Sequence, residues 1–205
     1  MSKENVIITF DLHEVIFTFN LKEVGHVLWN WHHKWAIFTT LFHIPFVFTL
    51  IKMLLNSPAD EEFYDIFQKR RPILLPLIIE ITNAQKVIPG MESLIQELHN
   101  QGYTLHILSN IGPRRFKELS ADFPKIINYF SKYQIVNPET KPIIKKPNTE
   151  FFKKYLAENA KQNQKIIFID DNKKNILAAR SLGINAIRFK STQQLQTQLN
   201  DLGIL

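Results

Sequence analysis

The chain has 205 residues, of which 45% are hydrophobic and 21% are charged, and this length can form one domain or a core with one large insertion. It contains no cysteine, which excludes disulfide bonds, thiolate metal sites and a thiol nucleophile. The formal net charge of +6 favours anionic partners, but the basic residues are scattered and form no aromatic-interleaved stripe, so we expect no nucleic-acid binding.

The first predicted element is a strand at residues 6–10, because the run Val6-Ile7-Ile8-Thr9-Phe10 is apolar and rich in β-branched residues. A carboxylate, Asp11, follows it directly. The polar residues 1–5 do not resemble a signal peptide. We therefore expect a soluble protein, cytoplasmic by default, whose first strand ends in an acid.

The next stretch is predicted to be a helical insertion at residues 19–86. Its periodicity is helical, and no alternation of strands and helices is visible in it. The run Ser57-Pro58-Ala59-Asp60 is typical of a helix start, with a serine cap and a proline in the first turn. The rest of the chain, residues 1–18 and 87–205, is predicted to form the core.

One part of this insertion, residues 35–51, carries no formal charge. It is shorter than the roughly 20 residues that a transmembrane helix needs, and Pro45 interrupts it. We therefore expect no membrane span but two short buried helices that meet at Pro45. Contact of the insertion with a membrane surface, through residues such as Phe46 and Phe48, is the alternative.

Strands and helices alternate in the remainder of the chain. Strands are predicted at 103–108, 133–136, 165–169 and 186–189, and helices at 91–101, 148–159 and 173–182, with a further helix at the C-terminus. This alternation predicts an α/β fold with a Rossmann-like, doubly wound parallel sheet.

Four polar signals lie at or beside the ends of these strands: Asp11, Ser109-Asn110, Lys146-Pro147 and Asp170-Asp171. The carboxyl ends of parallel strands meet in one crevice, so we expect these residues to lie together. A carboxylate nucleophile, a hydroxyl, a lysine and paired acids for Mg²⁺ suit phosphoryl transfer. We interpret Arg114 and Arg115 as a solvated loop, with binding of substrate phosphate as the alternative.

With these signals in order, the chain resembles the haloacid dehalogenase-like (HAD) hydrolase superfamily over nearly its whole length. The resemblance lies in four motifs: Phe10-Asp11-Leu12-His13-Glu14-Val15, Ile107-Leu108-Ser109-Asn110, Lys146-Pro147-Asn148 and Phe168-Ile169-Asp170-Asp171-Asn172. Residues 88–91 and 175–184 are also similar to the family pattern. The resemblance implies a HAD-like core and identifies 19–86 as a helical cap domain.

The resemblance also implies roles for single residues. Asp11 would be the nucleophile that forms an aspartyl-phosphate, and Ser109 with Asn110 would bind the phosphoryl oxygens. Lys146 would stabilise charge on the nucleophile and on the transferring group. The implied Mg²⁺ ligands are Asp11, Asp170, Asp171 and the backbone carbonyl of His13.

His13 departs from the family pattern, in which phosphatases carry a catalytic aspartate two residues after the nucleophile. Three interpretations stay open. His13 is itself the general acid–base, because imidazole titrates near neutral pH. Alternatively it is a poor acid, and the enzyme prefers aryl phosphates such as phosphotyrosine, whose leaving groups need little protonation. In the third interpretation the site binds phosphate or metal with little or no turnover.

The sequence therefore predicts a Mg²⁺-dependent phosphatase that hydrolyses phosphomonoesters, with a lean towards aryl phosphates and phosphoproteins. A small-metabolite phosphatase acting on sugar phosphates or nucleotides is one alternative, and a weak or inactive phosphate-binding module is another. The resemblance disfavours a dehalogenase, because such enzymes need no Mg²⁺ and the Asp170-Asp171 pair is intact.

Overall fold

A five-stranded parallel sheet forms the centre of the fold, in a computed structural model that describes residues 5–43, 45, 47, 60–160 and 164–205. The strands are β1 (Val6–Phe10), β2 (Phe17–Phe19), β3 (Gln85–Val87), β4 (Thr104–Leu108), β5 (Lys132–Gln134), β6 (Lys165–Asp170) and β7 (Asn185–Arg188). The large sheet has the order β5-β4-β1-β6-β7, and β2 pairs with β3 in a separate two-stranded sheet. The predicted α/β fold with a parallel, doubly wound sheet is confirmed.

The described helices alternate with these strands or follow them along the chain. They are α1 (Leu21–Asn30), α2 (Lys34–Leu41), α3 (Asp60–Arg70), α4 (Leu75–Asn83), α5 (Met91–Asn100), α6 (Pro113–Asp122), α7 (Pro124–Ile127), α8 (Thr149–Asn159), α9 (Lys173–Ser181) and α10 (Thr192–Asp201), with a 3₁₀ turn at Pro72–Leu74. Side-chain caps begin three of them, because Asn148, Asn172 and Ser191 accept hydrogen bonds from backbone N–H groups of the first turn.

The chain divides into two compact units, Met1–Thr18 with Val87–Leu205, and Phe19–Lys86. We call them the core unit and the insert unit. In the core unit, β1 is buried along its whole length, and α5 buries Met91, Leu94, Ile95 and Leu98. These four positions share one face of the helix, so α5 covers the sheet with an amphipathic stripe. That the insert unit acts as a cap stays a prediction.

Two short strands are absent from the sequence prediction. β2 and β3 have three residues each, which is too short for an alternating pattern to show. β5 also begins and ends earlier than predicted, because Val136 leaves the ladder and donates its backbone N–H to the carbonyl of Ile111 instead. The predicted helix start at 57–59 lies outside the described residues.

The insert unit packs its described helices around Phe67, Leu74 and Leu77. The prediction of buried helices in the uncharged stretch holds for only one side of α2, because Thr40 is buried whereas Trp35 is 77% exposed. Phe46 and Phe48 lie outside the residues that the structure describes. Among those that it does describe, no helix combines the length and the apolar character that a membrane span requires.

One buried polar network lies inside the core unit. The Tyr155 hydroxyl is hydrogen-bonded to Thr9 Oγ1 at 2.6 Å and to His106 Nδ1 at 2.8 Å, and it thereby joins β1, β4 and α8. Burial, with the charge of Lys132, lowers the pKa of His106 to about 4. The imidazole is therefore neutral in the folded protein at neutral pH.

Candidate active site

The strand order places Asp11 at the centre of the sheet edge. Phe10 pairs with Ile107 of β4 on one side and with Ile169 of β6 on the other. The backbone N–H of Asp11 donates to the carbonyl of Ile169 at 2.9 Å. The chain runs from β1 outward to β4 and β5, and it returns to the other side of β1 for β6 and β7. Asp11 thus lies at a topological switch point, where open α/β sheets bind ligands.

Lys146 connects the ends of three strands. Its Nζ lies 3.0 Å from Asp11 Oδ1 and 2.7 Å from Asp170 Oδ2, and it donates to the Leu108 carbonyl at 2.8 Å. An ammonium group has three donors, so these three acceptors satisfy it completely. The side chain is fully buried. The lysine from the third motif therefore fixes the positions of two carboxylates.

Three carboxylates gather around this lysine. One oxygen each of Asp11, Asp170 and Asp171 can be chosen so that all three lie within 4.8 Å of one another. Asp170 is the most fully held, because Asn172 donates its backbone N–H to Oδ1 at 2.8 Å and the Asn175 amide lies 3.0 Å from both carboxylate oxygens. Carboxylate oxygens in such a group are ligands that a hard cation such as Mg²⁺ prefers.

Charge is not balanced in this cluster. Burial alone would lower the pKa of Lys146, but the carboxylates of Asp11 and Asp170 outweigh it and raise that pKa. Burial also raises the pKa of Asp170, and the Lys146 ammonium only partly opposes the shift. The pKa of Asp171 is raised to about 6 by burial and by the charge of Asp11. One ammonium among three carboxylates leaves an excess of negative charge that favours a further cation.

Ser109 and Asn110 follow β4 directly. Ser109 is buried, and its Oγ accepts a hydrogen bond of 3.4 Å from the backbone N–H of Ile111. The Asn110 side chain makes a pair of bonds with Lys146: it accepts from the backbone N–H at 2.8 Å and donates to the carbonyl at 2.9 Å. Asn110 thus holds the backbone of the buried lysine, and a role of either residue in phosphate binding stays a prediction.

His13 lies in the tight turn that follows the nucleophile candidate. The Leu12 carbonyl accepts hydrogen bonds from the N–H groups of Ile16 and Phe17, both at 2.9 Å, and His13 is half-buried inside this turn. Glu14 has a φ of +55°, in the left-handed region that is strained for a residue with a side chain. Such strain is often found beside active sites. The catalytic and metal-binding roles of His13 stay predictions.

Two residues of the site were missed from the sequence. Asn172 and Asn175 both hold Asp170, and the available signal was two asparagines within five residues of the acid, at the start of a predicted helix. Arg115 differs from its interpretation as part of a solvated loop. It lies in α6 with a side chain that is 1% exposed, and its Nη1 lies 3.6 Å from Glu118 Oε2.

Comparison with known proteins connects this geometry with one family. The family model described as haloacid dehalogenase-like hydrolase matches residues 50–189, which include the second, third and fourth motifs. A curated drimenol cyclase from Aspergillus calidoustus is 32% identical over 59 residues, 29% of this chain and 11% of the cyclase. The matched segment is thus about a tenth of that relative's length.

Solved structures extend the likeness to the whole fold. A HAD family enzyme from Bacteroides thetaiotaomicron has a TM-score of 0.65 at 21% identity, with 92% of this chain and 94% of that chain covered. A mutant of it in complex with magnesium and inorganic phosphate gives 0.63 at 19% identity, with 91% and 94% covered. The L-2-haloacid dehalogenase from Xanthobacter autotrophicus gives 0.61 at 14% identity, with 98% and 84% covered. At these identities the likeness shows the fold alone.

Proposed function

The chain belongs to the haloacid dehalogenase-like hydrolases, and on that premise we propose that it is a Mg²⁺-dependent phosphatase with Asp11 as its nucleophile. The observation that carries this proposal is the group of three carboxylates, Asp11, Asp170 and Asp171, around the buried Lys146. A hydrolase that uses only a carboxylate nucleophile has no need of two further acids beside it.

The donor set fits Mg²⁺. All three acids offer oxygen ligands within 4.8 Å of one another, and hard divalent cations select oxygen. A HAD family relative binds magnesium and phosphate, which supports the same assignment here. When bound, the cation would offset charge on the phosphoryl oxygens.

The contacts that the structure describes for the Asp11 carboxylate lie on one of its two oxygens. Lys146 and the backbone N–H of Leu12 both contact Oδ1, at 3.0 and 2.8 Å. These contacts orient the carboxylate and leave Oδ2 as the attacking atom. Oδ2 forms a bond to phosphorus while the ester P–O bond breaks, and this gives an aspartyl-phosphate and an alcohol or phenol. Attack of water on phosphorus then releases phosphate and restores Asp11.

Two proton transfers accompany these steps. The leaving oxygen gains a proton in the first, and the attacking water loses one in the second. His13, two residues after the nucleophile, is our candidate for both transfers, because imidazole exchanges protons near neutral pH. If its contribution is small, substrates with acidic leaving groups are favoured, which supports the lean towards aryl phosphates and phosphotyrosine.

Small sugar phosphates or nucleotides are the alternative substrates, and a phosphate-binding protein with weak turnover is the alternative function.

Turnover of an aryl phosphate tests the proposal. We expect release of phosphate from p-nitrophenyl phosphate that requires Mg²⁺, stops with a chelator and is lost in Asp11→Asn. Asp201→Asn is the matched control, because Asp201 is exposed at the end of α10. Full activity in Asp11→Asn, or activity without any divalent cation, would contradict the proposal. Release of halide from a 2-haloacid in place of phosphate would indicate a dehalogenase.

A further inference from the structure

Three aromatic side chains form an exposed row on α2 and its C-terminal cap residue: Trp35, Phe38 and Phe42, which we call the aromatic face. They are 77%, 54% and 69% exposed. The ring centroids of Trp35 and Phe38 are 6.1 Å apart, and those of Phe38 and Phe42 are 4.6 Å apart. The three rings therefore form one continuous apolar surface, and contiguous surfaces of this kind mark interaction sites.

The opposite side of α2 is already used for packing. Ala36 and Ile37 pack against the cluster that contains Phe67 and Leu74. A helix at a protein surface normally has one apolar face towards the core and one charged face towards water. α2 instead has apolar residues on both sides, and its only formal charge is Lys34 at the first position. The aromatic face is thus a second apolar surface, which the described helices of the insert unit leave exposed.

The stretch of sequence that contains the aromatic face carries formal charges of one sign only. From Val24 to Ala59 the sequence contains no aspartate or glutamate, and its formal charges are Lys34 and Lys52. The Lys34 ammonium lies 5.0 Å from the centre of the Trp29 ring, at the start of α2. Trp29 is itself 77% exposed. This combination of indole rings, phenyl rings and lysine without acids is typical of segments that lie in a membrane interface.

We propose that the aromatic face docks onto the surface of a lipid bilayer that contains anionic headgroups. The rings enter the boundary between headgroups and acyl chains, and Lys34 contacts lipid phosphates. The rim of a protein–protein interface is polar, whereas residues 24–59 contain two lysines and no acid, which complements an anionic lipid surface. The inference concerns only the insert unit and is independent of the proposed phosphatase activity.

Tryptophan fluorescence tests this directly in the full chain. All three tryptophans of the sequence, Trp29, Trp31 and Trp35, lie in the insert unit within seven residues of one another, and Trp35 belongs to the aromatic face. We expect a blue shift of their emission, together with co-sedimentation, when phosphatidylcholine vesicles containing phosphatidylglycerol are added. Pure phosphatidylcholine vesicles should give a weaker response. Lipids brominated near the headgroup should quench the emission more strongly than lipids brominated near the bilayer centre.

Variants identify the surface without loss of the reporter. Phe38→Ser combined with Phe42→Ser keeps all three tryptophans, and we expect vesicle binding to weaken by about tenfold or more. Lys34→Gln should weaken binding to the anionic vesicles by about fivefold. Tyr133→Ser is the matched control, because Tyr133 is 61% exposed in the core unit, and it should bind as the wild type does. Unchanged circular dichroism shows that each variant is folded.

Three results would overturn the proposal. The first is unchanged emission and no co-sedimentation with anionic vesicles. The second is a double phenylalanine variant that binds the vesicles as tightly as the wild type. The third is a blue shift without vesicles that grows with protein concentration and disappears in that variant, because a second copy of the chain would then cover the aromatic face.

Discussion

The Nζ of Lys146 lies 2.7 Å from Asp170 Oδ2, and both side chains are excluded from water. This ion pair joins the loop before α8 to the end of β6, and the same ammonium reaches Asp11 at the end of β1. Lys146 thus makes a tertiary contact that no single helix or strand could provide. It holds two acids from distant parts of the sequence at a fixed separation.

Removal of this lysine should affect both stability and catalysis. Lys146→Met keeps most of the side-chain volume but removes the only ammonium that contacts the buried carboxylates among the described residues, which should lower the free energy of unfolding by about 3–5 kcal/mol. We also expect a loss of kcat/KM of at least about a hundredfold. Urea unfolding and aryl phosphate turnover measure the two effects. Lys145→Met is the control. Equal losses of unfolding free energy and of kcat/KM in both variants would show that the contacts of Lys146 with the carboxylates do not matter.

Asn175 should act on the metal through Asp170. Its amide lies 3.0 Å from both oxygens of that carboxylate, so Asn175→Ala should weaken activation by Mg²⁺ by about 10–100-fold. Turnover at saturating Mg²⁺ should change much less. Asn200→Ala, at an exposed position in α10, should leave both quantities unchanged. A drop in kcat at saturating Mg²⁺ with unchanged metal dependence would argue against this positioning role.

A role of His13 in proton transfer should be visible in how the loss of activity depends on the leaving group of the substrate. If it donates the proton, His13→Ala should lower turnover of alkyl phosphates about 10²–10⁴-fold and turnover of aryl phosphates much less, since a phenol leaves without full protonation. One limb of the pH–rate profile should disappear in the variant. His13→Asp should restore part of the alkyl phosphatase activity. Equal losses on both substrate classes would remove His13 from proton transfer.

The free energy of unfolding should decrease as the pH decreases, because of His106. The pKa of this buried imidazole is lowered from 6.5 to about 4, so the unfolded chain takes up a proton at a higher pH than the folded chain. Its stabilising contribution is complete above pH 6.5 and is lost as the pH falls from 6.5 to about 4. We expect a loss of about 2 kcal/mol from this residue.

Urea unfolding at several pH values measures this contribution. His106→Gln should reduce the loss of stability over this range, whereas His99→Gln, at an exposed position, should leave it unchanged. An identical pH dependence in His106→Gln and the wild type would refute the assignment to His106.

The parts that were predictable from the sequence are those with a strong local pattern. β1 and β6 are uninterrupted apolar runs that end in acids, and parallel pairing then brings Asp11 and Asp170 together. β2 and β3 have no such pattern because they are three residues long. The hydrogen bonds from Asn175 to Asp170 depend on how α9 leaves the sheet, which the sequence alone does not specify.

Burial was the least predictable property. The composition of the uncharged stretch around Trp35 is typical of a buried segment, yet Trp35 is exposed. Whether such a residue is buried depends on whether another part of the chain packs against it. Arg115 reads as a surface residue but is buried in α6. In both cases the residue type indicates a preference, and the tertiary packing decides.

In the proposed phosphatase reaction, Asp11 carries the phosphoryl group. Acid quenching during turnover of an aryl phosphate with Mg²⁺, followed by borohydride reduction, converts an aspartyl-phosphate into homoserine, which peptide mass spectrometry locates. We expect homoserine at position 11, only when substrate and Mg²⁺ are both present. Sustained phosphate release with homoserine at position 170 or 171, or with none at position 11, would contradict this role of Asp11.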